Sequence, residues 1–371
     1  MKEGYDYVIV GAGFTGATIA NILSTRGKYC LVVDSRDYVG GTSADHVNVN
    51  GLLAPRFGPH AFHTNSVHVW NYLNKFADFN DYVQVSKTRH KGELYDIPLN
   101  ANTIEKFFDT TFASEVEVRK FVEDKQSKFA SVLNSEDLAL STMGRELYKA
   151  FYAGYTEKQW AESASSLNRA VLGRVPVRFN RDNRYFTDKF QGLPIGGYSQ
   201  LIRRMLDGID VQLLTTITIK EALDEGAHVV WTGPLDEAFA ERHGALDWRS
   251  VYWEETHSDI TLPAAVVHEA DIEVPYTRTT DVGYFDALAG KGNLKRTTHL
   301  TEYSCQYTDP KCGGEKFYPV VRPHTDHLLN KYKLLAANLA RVSFMGRMGS
   351  FNYLNMDQAV SMALAYCDGV K

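Results

Sequence analysis

Tyr5-Asp6-Tyr7-Val8-Ile9-Val10-Gly11-Ala12-Gly13-Phe14-Thr15-Gly16 is the stretch that decides the fold of this chain. Its apolar, β-branched run leads directly into Gly-x-Gly-x-x-Gly, and a helical pattern follows over residues 17–23. A second apolar run, Cys30 to Val33, ends in Asp34. This order of strand, glycine turn, helix, strand and acid predicts an α/β, Rossmann-like unit that binds a dinucleotide.

The contacts to that dinucleotide can be assigned from the same pattern. The glycines permit a tight turn, a close approach to the pyrophosphate and close packing of the helix on the strand. The free N–H groups at the start of the helix favour the phosphates, and Asp34 has the spacing of a carboxylate that holds a ribose hydroxyl. A basic residue and a Gly-Gly pair follow Asp34, which favours FAD over a nicotinamide. We expect cofactor contacts from Gly11, Gly13, Phe14, Thr15, Gly16, Asp34, Ser35, Gly41 and Thr42.

Size and composition limit the classes of function. The chain has 371 residues, which predicts two or three domains, and a net charge of −5, which argues against nucleic acid or an anionic membrane as a partner. The sequence begins directly with a strand, so we expect no signal peptide and a cytoplasmic location. Cys305 and Cys312 could pair, although reduced thiols are the default for such a chain.

The patterns farther along the chain predict an architecture of separated segments. Residues 1–78, 198–243 and 324–371 would form the dinucleotide (FAD-type) domain, and residues 100–170 a helical insert. Residues 79–99, 171–197 and 244–323 would form an antiparallel sheet domain. Within the last of these, Val175 to Phe179 and Tyr185-Phe186 are predicted to be pieces of strand.

Eight further motifs are spread along nearly the whole chain. They are Gly58-Pro59-His60-Ala61-Phe62-His63-Thr64; Gly154-Tyr155-Thr156-Glu157-Lys158-Gln159-Trp160; Arg174-Val175-Pro176-Val177-Arg178-Phe179; Asp182-Asn183-Arg184-Tyr185-Phe186; Gly192-Leu193-Pro194-Ile195-Gly196-Gly197-Tyr198; Val274-Pro275-Tyr276-Thr277-Arg278; Phe317-Tyr318-Pro319-Val320; and Gly346-Arg347-Met348-Gly349 with Tyr353 to Gln358. Together they resemble the UDP-galactopyranose mutase family.

The resemblance implies an isomerase that interconverts the pyranose and furanose forms of a nucleoside-diphosphate hexose. In that family N5 of reduced FAD attacks the anomeric carbon, the nucleoside diphosphate leaves and later returns, and no net redox change occurs. The expected cofactor is therefore reduced FAD, and the expected substrate is UDP-galactopyranose or UDP-galactofuranose. A homodimer is compatible with the resemblance.

The resemblance also implies roles for individual residues. Arg174 and Arg278 would clamp the diphosphate, with Arg174 on a loop that closes over the substrate, although either arginine alone could equally be a solvated surface residue. His60 and His63 lie in a glycine-turn loop that would pass beside the flavin, where an isolated histidine pair is otherwise usually structural. Arg347, Asn355 and Met356 would close over the flavin from the other side.

Aromatic residues complete the expected substrate site. Phe151 and Tyr155 are four residues apart on a predicted helix and share a face, which fits core packing or, by the resemblance, stacking on the base. Thr156 lies beside them, Trp160 would line the sugar end, and Gln84 would lie near the base. Tyr185, Tyr318 and Tyr353 would bind phosphate, because a phenol donates a hydrogen bond without adding charge.

Several positions depart from the family pattern and keep alternatives open. Gly40-Gly41-Thr42-Ser43-Ala44 lacks the usual asparagine, and His268-Glu269-Ala270-Asp271 replaces an Asn-aromatic-Thr-Asp pattern. One alternative is the same ring contraction on another nucleotide sugar, such as a GDP-hexose, and another is a reaction without flavin in which a divalent metal assists departure of the diphosphate. Others are a flavin oxidoreductase of the amine-oxidase type, and a binding protein without catalysis.

Overall fold

The structure is a computed structural model that describes residues 4–169, 171–174, 176–288, 297–320 and 325–370. Its strands are β1 (Tyr5–Val10), β2 (Cys30–Val33), β3 (Asp45–Val47), β4 (Leu53–Pro55), β5 (Phe62–Thr64), β6 (Ser86–His90), β7 (Glu93–Ile97), β8 (Phe190–Gly192), β9 (Asp210–Gln212), β10 (Gly226–Trp231), β11 (Trp248–Ser258), β12 (Val266–Glu269), β13 (Arg278–Asp281), β14 (Thr297–Gln306), β15 (Tyr318–Pro319) and β16 (Val342–Phe344). Its helices are α1 (Phe14–Thr25), α2 (Val67–Leu73), α3 (Ala101–Phe108), α4 (Glu115–Glu123), α5 (Ser135–Thr142), α6 (Gly144–Tyr148), α7 (Gly154–Trp160), α8 (Tyr198–Met205), α9 (Ile219–Glu225), α10 (Val282–Leu288), α11 (Thr325–Ala337), α12 (Gly346–Gly349) and α13 (Met356–Gly369).

The opening stretch forms the middle strand of a parallel sheet. The strand order is β16-β10-β1-β2-β9, and every neighbouring pair in it is parallel. Val8 and Ile9 of β1 are fully buried on opposite faces, as expected of a strand with helices on both sides. The predicted α/β, Rossmann-like fold is therefore confirmed, and its strands come from three separated parts of the chain.

The glycine turn explains why α1 can begin so close to β1. Gly11 has φ +110°, a conformation that L side chains rarely adopt. A Cβ atom on Gly16 would lie 2.0 Å from the Gly11 carbonyl oxygen. Any side chain at position 16 would therefore push the helix away from the strand.

A second, seven-stranded sheet stands beside the parallel one. Its order is β15-β11-β14-β13-β12-β6-β7, and its pairs are antiparallel except for β12 with β6, which are parallel. The helices α3 to α7 pack around a separate apolar cluster that includes Ile104, Leu147 and Phe151. A single turn of π-helix, Lys149–Ala153, joins α6 to α7. The domain boundaries proposed from the sequence stay a prediction.

The strand pieces predicted around residue 180 are absent from the described part of that segment, residues 176–189, where only an isolated bridge joins Arg184 to Val85; Val175 lies outside the described residues. The Arg178 guanidinium donates to the backbone carbonyls of Asp182, Arg184 and Tyr185. These bonds fold the segment back on itself, so its carbonyls are not available to a neighbouring strand.

Two other features complete the description. Cys305 and Cys312 form a disulfide, which the sequence allowed although reduced thiols were the default expectation. Cys30 and Cys367 are buried free thiols. Within the described residues, no helix is long and apolar enough to cross a membrane.

Candidate functional site

One large cavity lies where β1, β2 and β10 end and α1 begins. This glycine-loop cavity has a volume of about 640 Å³. Eight of the nine residues expected from the opening stretch line it; Gly16 does not and instead lies beneath it, against Gly11. The eight are Gly11, Gly13, Phe14, Thr15, Asp34, Ser35, Gly41 and Thr42.

Asp34 shapes the floor of the glycine-loop cavity. It is buried, and its Oδ2 accepts from the backbone N–H of Ala12 at 2.8 Å while its Oδ1 accepts from that of Arg36 at 2.9 Å. The carboxylate therefore fixes the glycine turn. Its remaining lone pairs are still able to accept from ribose hydroxyls.

The glycine-loop cavity fits a dinucleotide. A Cβ atom on Gly13 would approach only Gly41, at 3.8 Å from its Cα, so the missing side chain leaves space at the start of α1. The first N–H groups of α1 have no partner within the helix, and the helix dipole adds positive potential there. Space and unpaired donors at one point are what a pyrophosphate needs.

The second cavity, of about 490 Å³, is lined by tyrosines and is called the tyrosine cavity below. Most of the expected substrate residues line it, namely Phe151, Tyr155, Thr156, Trp160, Tyr185, Arg278, Tyr318 and Tyr353, together with His63. Four residues line both cavities and form a shared wall: His60, Arg347, Asn355 and Met356. A ligand in each cavity would therefore meet its neighbour at these four residues.

One row of side chains across the seven-stranded sheet forms the floor of the tyrosine cavity. Residues paired directly opposite each other on adjacent strands share a face of the sheet. The register makes such a row from six strands, in the order Tyr95, Thr88, His268, Arg278, Glu302 and Trp253. Thr88, His268 and Arg278 line the cavity directly.

Arg278 is held in place by Glu302, its neighbour in that row. The Nε and Nη2 atoms of Arg278 both donate to Glu302 Oε2, at 2.9 and 2.6 Å, and Thr277 Oγ1 donates to Glu302 Oε1 at 3.1 Å. Burial alone would lower the pKa of Arg278, but Glu302 raises it well above its ordinary value. The guanidinium stays charged, and its Nη1 has no partner among the described residues.

The two expected histidines differ in position and surroundings, because His60 lies in the loop before β5 and His63 lies within β5. His60 Nδ1 lies 2.7 Å from the Gly58 carbonyl, which can only accept, so Nδ1 carries the proton and Nε2 is an acceptor. Burial, reinforced by the charge of Arg347, lowers the pKa of His60 to about 4. His63 Nδ1 lies 2.8 Å from Asp188 Oδ2, and its ring stacks on Phe186.

The tyrosines of the cavity are uncharged donors. Burial is the main cause that raises the pKa of Tyr155, Tyr185 and Tyr318. Tyr318 stacks on Tyr353 with ring centroids 5.7 Å apart, and the Arg347 guanidinium lies 4.8 Å from the Tyr353 ring centroid. The cavity thus combines two guanidiniums, Arg278 and Arg347, with several neutral hydroxyls, which suits a doubly charged anion.

One expected residue, Gln84, does not join this arrangement, and the side chain of another, Arg174, is not described. Gln84 lines neither of the two cavities among the described residues; its side chain bonds to Tyr82 and Ser86, at 2.5 and 2.9 Å. Arg174 ends a short turn, Leu172–Arg174, whose first residue lines the tyrosine cavity. The side chain of Arg174 lies outside the described residues, so its contact with substrate stays a prediction.

Reasoning from the sequence missed Glu302, Thr88 and Asp188. Each belongs to a segment without a motif. Glu302 and Thr88 reach the site through strand pairing with distant parts of the chain, and Asp188 through its contact with His63. Only the alternation of β14 could have suggested an inward-facing Glu302.

The buried histidines predict an acid-sensitive fold. An unfolded histidine binds a proton below about pH 6.5, whereas burial lowers the pKa of His268 to about 3, so unfolding takes up a proton between these values. The contribution of neutral His268 to the free energy of unfolding is therefore fully present above pH 6.5 and is lost as the pH falls. The loss is about 1.5 kcal/mol between pH 6.5 and 5. We expect urea denaturation to show the loss, and His268→Phe to lose less over the same range; an equal loss in both would contradict the assignment.

The described residues contain no group of three or more His, Cys, Asp or Glu side chains that could hold a metal ion.

The comparison with protein families matches residues 150–353 to the family model described as UDP-galactopyranose mutase. It matches residues 9–76 to the NAD(P)-binding Rossmann-like domain. The second match covers the glycine turn, and the first covers most residues of the tyrosine cavity.

Individual proteins are similar over almost the whole chain. A probable UDP-galactopyranose mutase of Klebsiella pneumoniae is 35% identical over 97% of this chain and 93% of its own length. A dTDP-fucopyranose mutase of Escherichia coli is 32% identical over 96% of each chain. The crystal structure of a reduced UDP-galactopyranose mutase has a TM-score of 0.78 at 16% identity, covering 99% of this chain and 95% of that one, which shows a common fold.

Proposed function

The chain belongs to the UDP-galactopyranose mutase family, and on that premise we propose that it interconverts UDP-galactopyranose and UDP-galactofuranose with reduced FAD as cofactor. The observation that carries the proposal is the wall shared by the two cavities. His60, Arg347, Asn355 and Met356 face both the glycine-loop cavity and the tyrosine cavity. A flavin ring and a hexose would meet at that wall.

The glycine-loop cavity supports the cofactor half of the proposal. The pyrophosphate of FAD would lie at Gly13 and the start of α1, with a ribose near Asp34. The flavin ring would reach His60 and Arg347, and Met356 begins α13, whose positive end would face it. When bound in its reduced form, FAD would supply the electron pair that attacks the anomeric carbon.

The tyrosine cavity supports the substrate half. The diphosphate would bind at the free edge of Arg278 and at the hydroxyls of Tyr185, Tyr318 and Tyr353. The base would lie against Tyr155, toward Phe151, where α7 follows the π turn. Trp160 ends α7 with its ring centroid 6.4 Å from that of Tyr318, on the side where the hexose would lie.

These residues would assist the reaction by binding charge and by positioning groups. Negative charge develops on the diphosphate as the anomeric C–O bond breaks, and Arg278 with the tyrosine hydroxyls would stabilise it. His60 Nε2 is an acceptor in the shared wall and could hold a hydroxyl or an N–H group there. Closure of the Arg174 loop would exclude water while the bond is broken.

The test is a ring-size assay with UDP-galactofuranose under anaerobic conditions. We expect conversion to UDP-galactopyranose, followed by chromatography, only when FAD is reduced with dithionite. Turnover should survive EDTA and consume no stoichiometric NAD(P)H or oxygen. The control is the same sample with oxidised FAD.

Each alternative has its own signature in that assay. Turnover that needs no reduction and stops with EDTA would favour the metal-assisted reaction. Consumption of NAD(P)H or oxygen in step with substrate would favour the oxidoreductase. Binding of GDP as tight as that of UDP in isothermal titration would overturn the uridine assignment.

A further inference from the structure

His268 is a buried histidine in the floor of the tyrosine cavity to which the proposed reaction gives no role. It is only 6% exposed, and it lies between two tyrosines of the cavity. Its ring centroid is 5.5 Å from that of Tyr155 and 6.1 Å from that of Tyr185, whose ring is nearly parallel to it. Neither of its ring nitrogens has a hydrogen-bond partner among the described residues.

An unpartnered buried polar group calls for a ligand. Leaving a donor or acceptor without a partner in a desolvated site is costly, so most such groups in proteins are hydrogen-bonded. A neutral imidazole offers one N–H donor and one nitrogen acceptor. Since the surrounding protein supplies no partner, the partner would come from whatever occupies the cavity.

The position of His268 in the row indicates which part of a ligand it meets. On one side, Arg278 of β13 is its neighbour, and Glu302 of β14 follows Arg278. Arg278 and Glu302 bond to each other next to Gly58, in the loop that carries His60. On the other side, Thr88 of β6 is the neighbour of His268, and Thr88 pairs with Tyr95, which packs on Phe151. Because adjacent strands are about 4.8 Å apart, His268 lies one strand spacing from Arg278 toward Phe151.

We propose that His268 hydrogen-bonds the ribose diol of the bound nucleotide and so makes the site prefer ribonucleoside diphosphates to deoxyribonucleoside diphosphates. The inference rests on the proposed function, which puts the diphosphate at Arg278 and the base at Phe151 and Tyr155. The ribose joins these two groups, and it therefore lies over the strand between them. A hydroxyl both donates and accepts, which matches either nitrogen of a neutral imidazole.

The experiment compares UDP, 2′-deoxy-UDP and 3′-deoxy-UDP by isothermal titration to the flavin-loaded protein. We expect the wild type to bind UDP about tenfold more tightly than at least one of the deoxy analogues, the effect of one hydrogen bond. In His268→Phe and His268→Leu, which lack hydrogen-bonding groups, the ratio should fall to about one because binding of UDP weakens. His268→Asn should keep part of the preference.

The matched control is His228→Phe, an exposed histidine on β10 that stacks on Tyr7 outside the tyrosine cavity. It should keep the wild-type ratio. Equal binding of all three nucleotides by wild type, or an unchanged ratio in both His268→Phe and His268→Leu, overturns this inference while mutase turnover persists. Failure of UDP to bind, with no ring conversion, overturns the proposed function itself.

Discussion

Replacing Arg278 with alanine is expected to lower kcat by about 10²- to 10³-fold, with a smaller rise in KM. The guanidinium is charged and pre-positioned by Glu302, and its free Nη1 edge belongs to the wall of the tyrosine cavity. Its stabilising effect should be greatest when the diphosphate leaves, because charge on the diphosphate is then at its maximum. Steady-state kinetics with reduced FAD measure the loss.

Three further variants make this result specific. Arg278→Lys should recover only part of kcat, because an ammonium cannot bond to Glu302 and the phosphate in the same fork geometry. Glu302→Gln keeps the charge of Arg278 but loosens its orientation, and we expect about a tenfold loss in kcat. Arg89→Ala is the control, since Arg89 also pairs with a buried glutamate of the sheet, Glu269, but does not line the cavity. A kcat for Arg278→Ala within a factor of about three of wild type would contradict the clamp.

The second large effect is expected at Gly13, where valine should abolish retention of the flavin. Gly13 has extended backbone angles, φ −86° and ψ −172°, which valine adopts readily. The protein would accept the new side chain, since only Gly41 lies near its Cβ, but the space for the pyrophosphate would be filled. The visible flavin absorbance of the purified protein should fall at least tenfold, and mutase turnover should fall with it.

Gly16→Ala is the matched comparison, because it changes the same turn but should destabilise the fold rather than fill the cofactor site. Its Cβ would overlap the Gly11 carbonyl oxygen, so we expect a loss of several kcal/mol in the free energy of unfolding. Gly13→Val should instead unfold like flavin-free wild type in urea. A Gly13→Val protein that purifies with the wild-type flavin content would contradict the position given to the pyrophosphate.

The parallel sheet and its glycine turn were predictable because their signals are local. β-branched residues, three glycines and one acid within 34 positions specify strand, turn, helix and strand without help from the rest of the chain. The shared face of Phe151 and Tyr155 was equally local, and it persists although Phe151 lies within a π turn that ends just before α7. The local pattern wrongly predicted strand pieces around residue 180, because Arg178 bonds to nearby carbonyls and keeps its segment out of the sheet.

The floor of the tyrosine cavity could not be predicted in the same way. Thr88, His268, Arg278 and Glu302 come from four strands spread over more than half of the chain, and they meet only through the register of β6, β12, β13 and β14. Register depends on pairing between distant segments, which a single sequence does not specify. The family motifs identified Arg278, whereas only the strand pairing of the sheet shows that Glu302 and His268 lie next to it.

The central claim is that cofactor and nucleotide sugar occupy separate cavities and meet at one wall. A crystal structure of the chain with FAD and UDP-galactose tests it most directly. We predict the diphosphate on Arg278, the base beside Tyr155, the flavin pyrophosphate at Gly13, and the hexose facing the flavin ring across His60 and Arg347. A nucleotide sugar bound in the glycine-loop cavity, or a hexose directed away from that wall, would contradict the account.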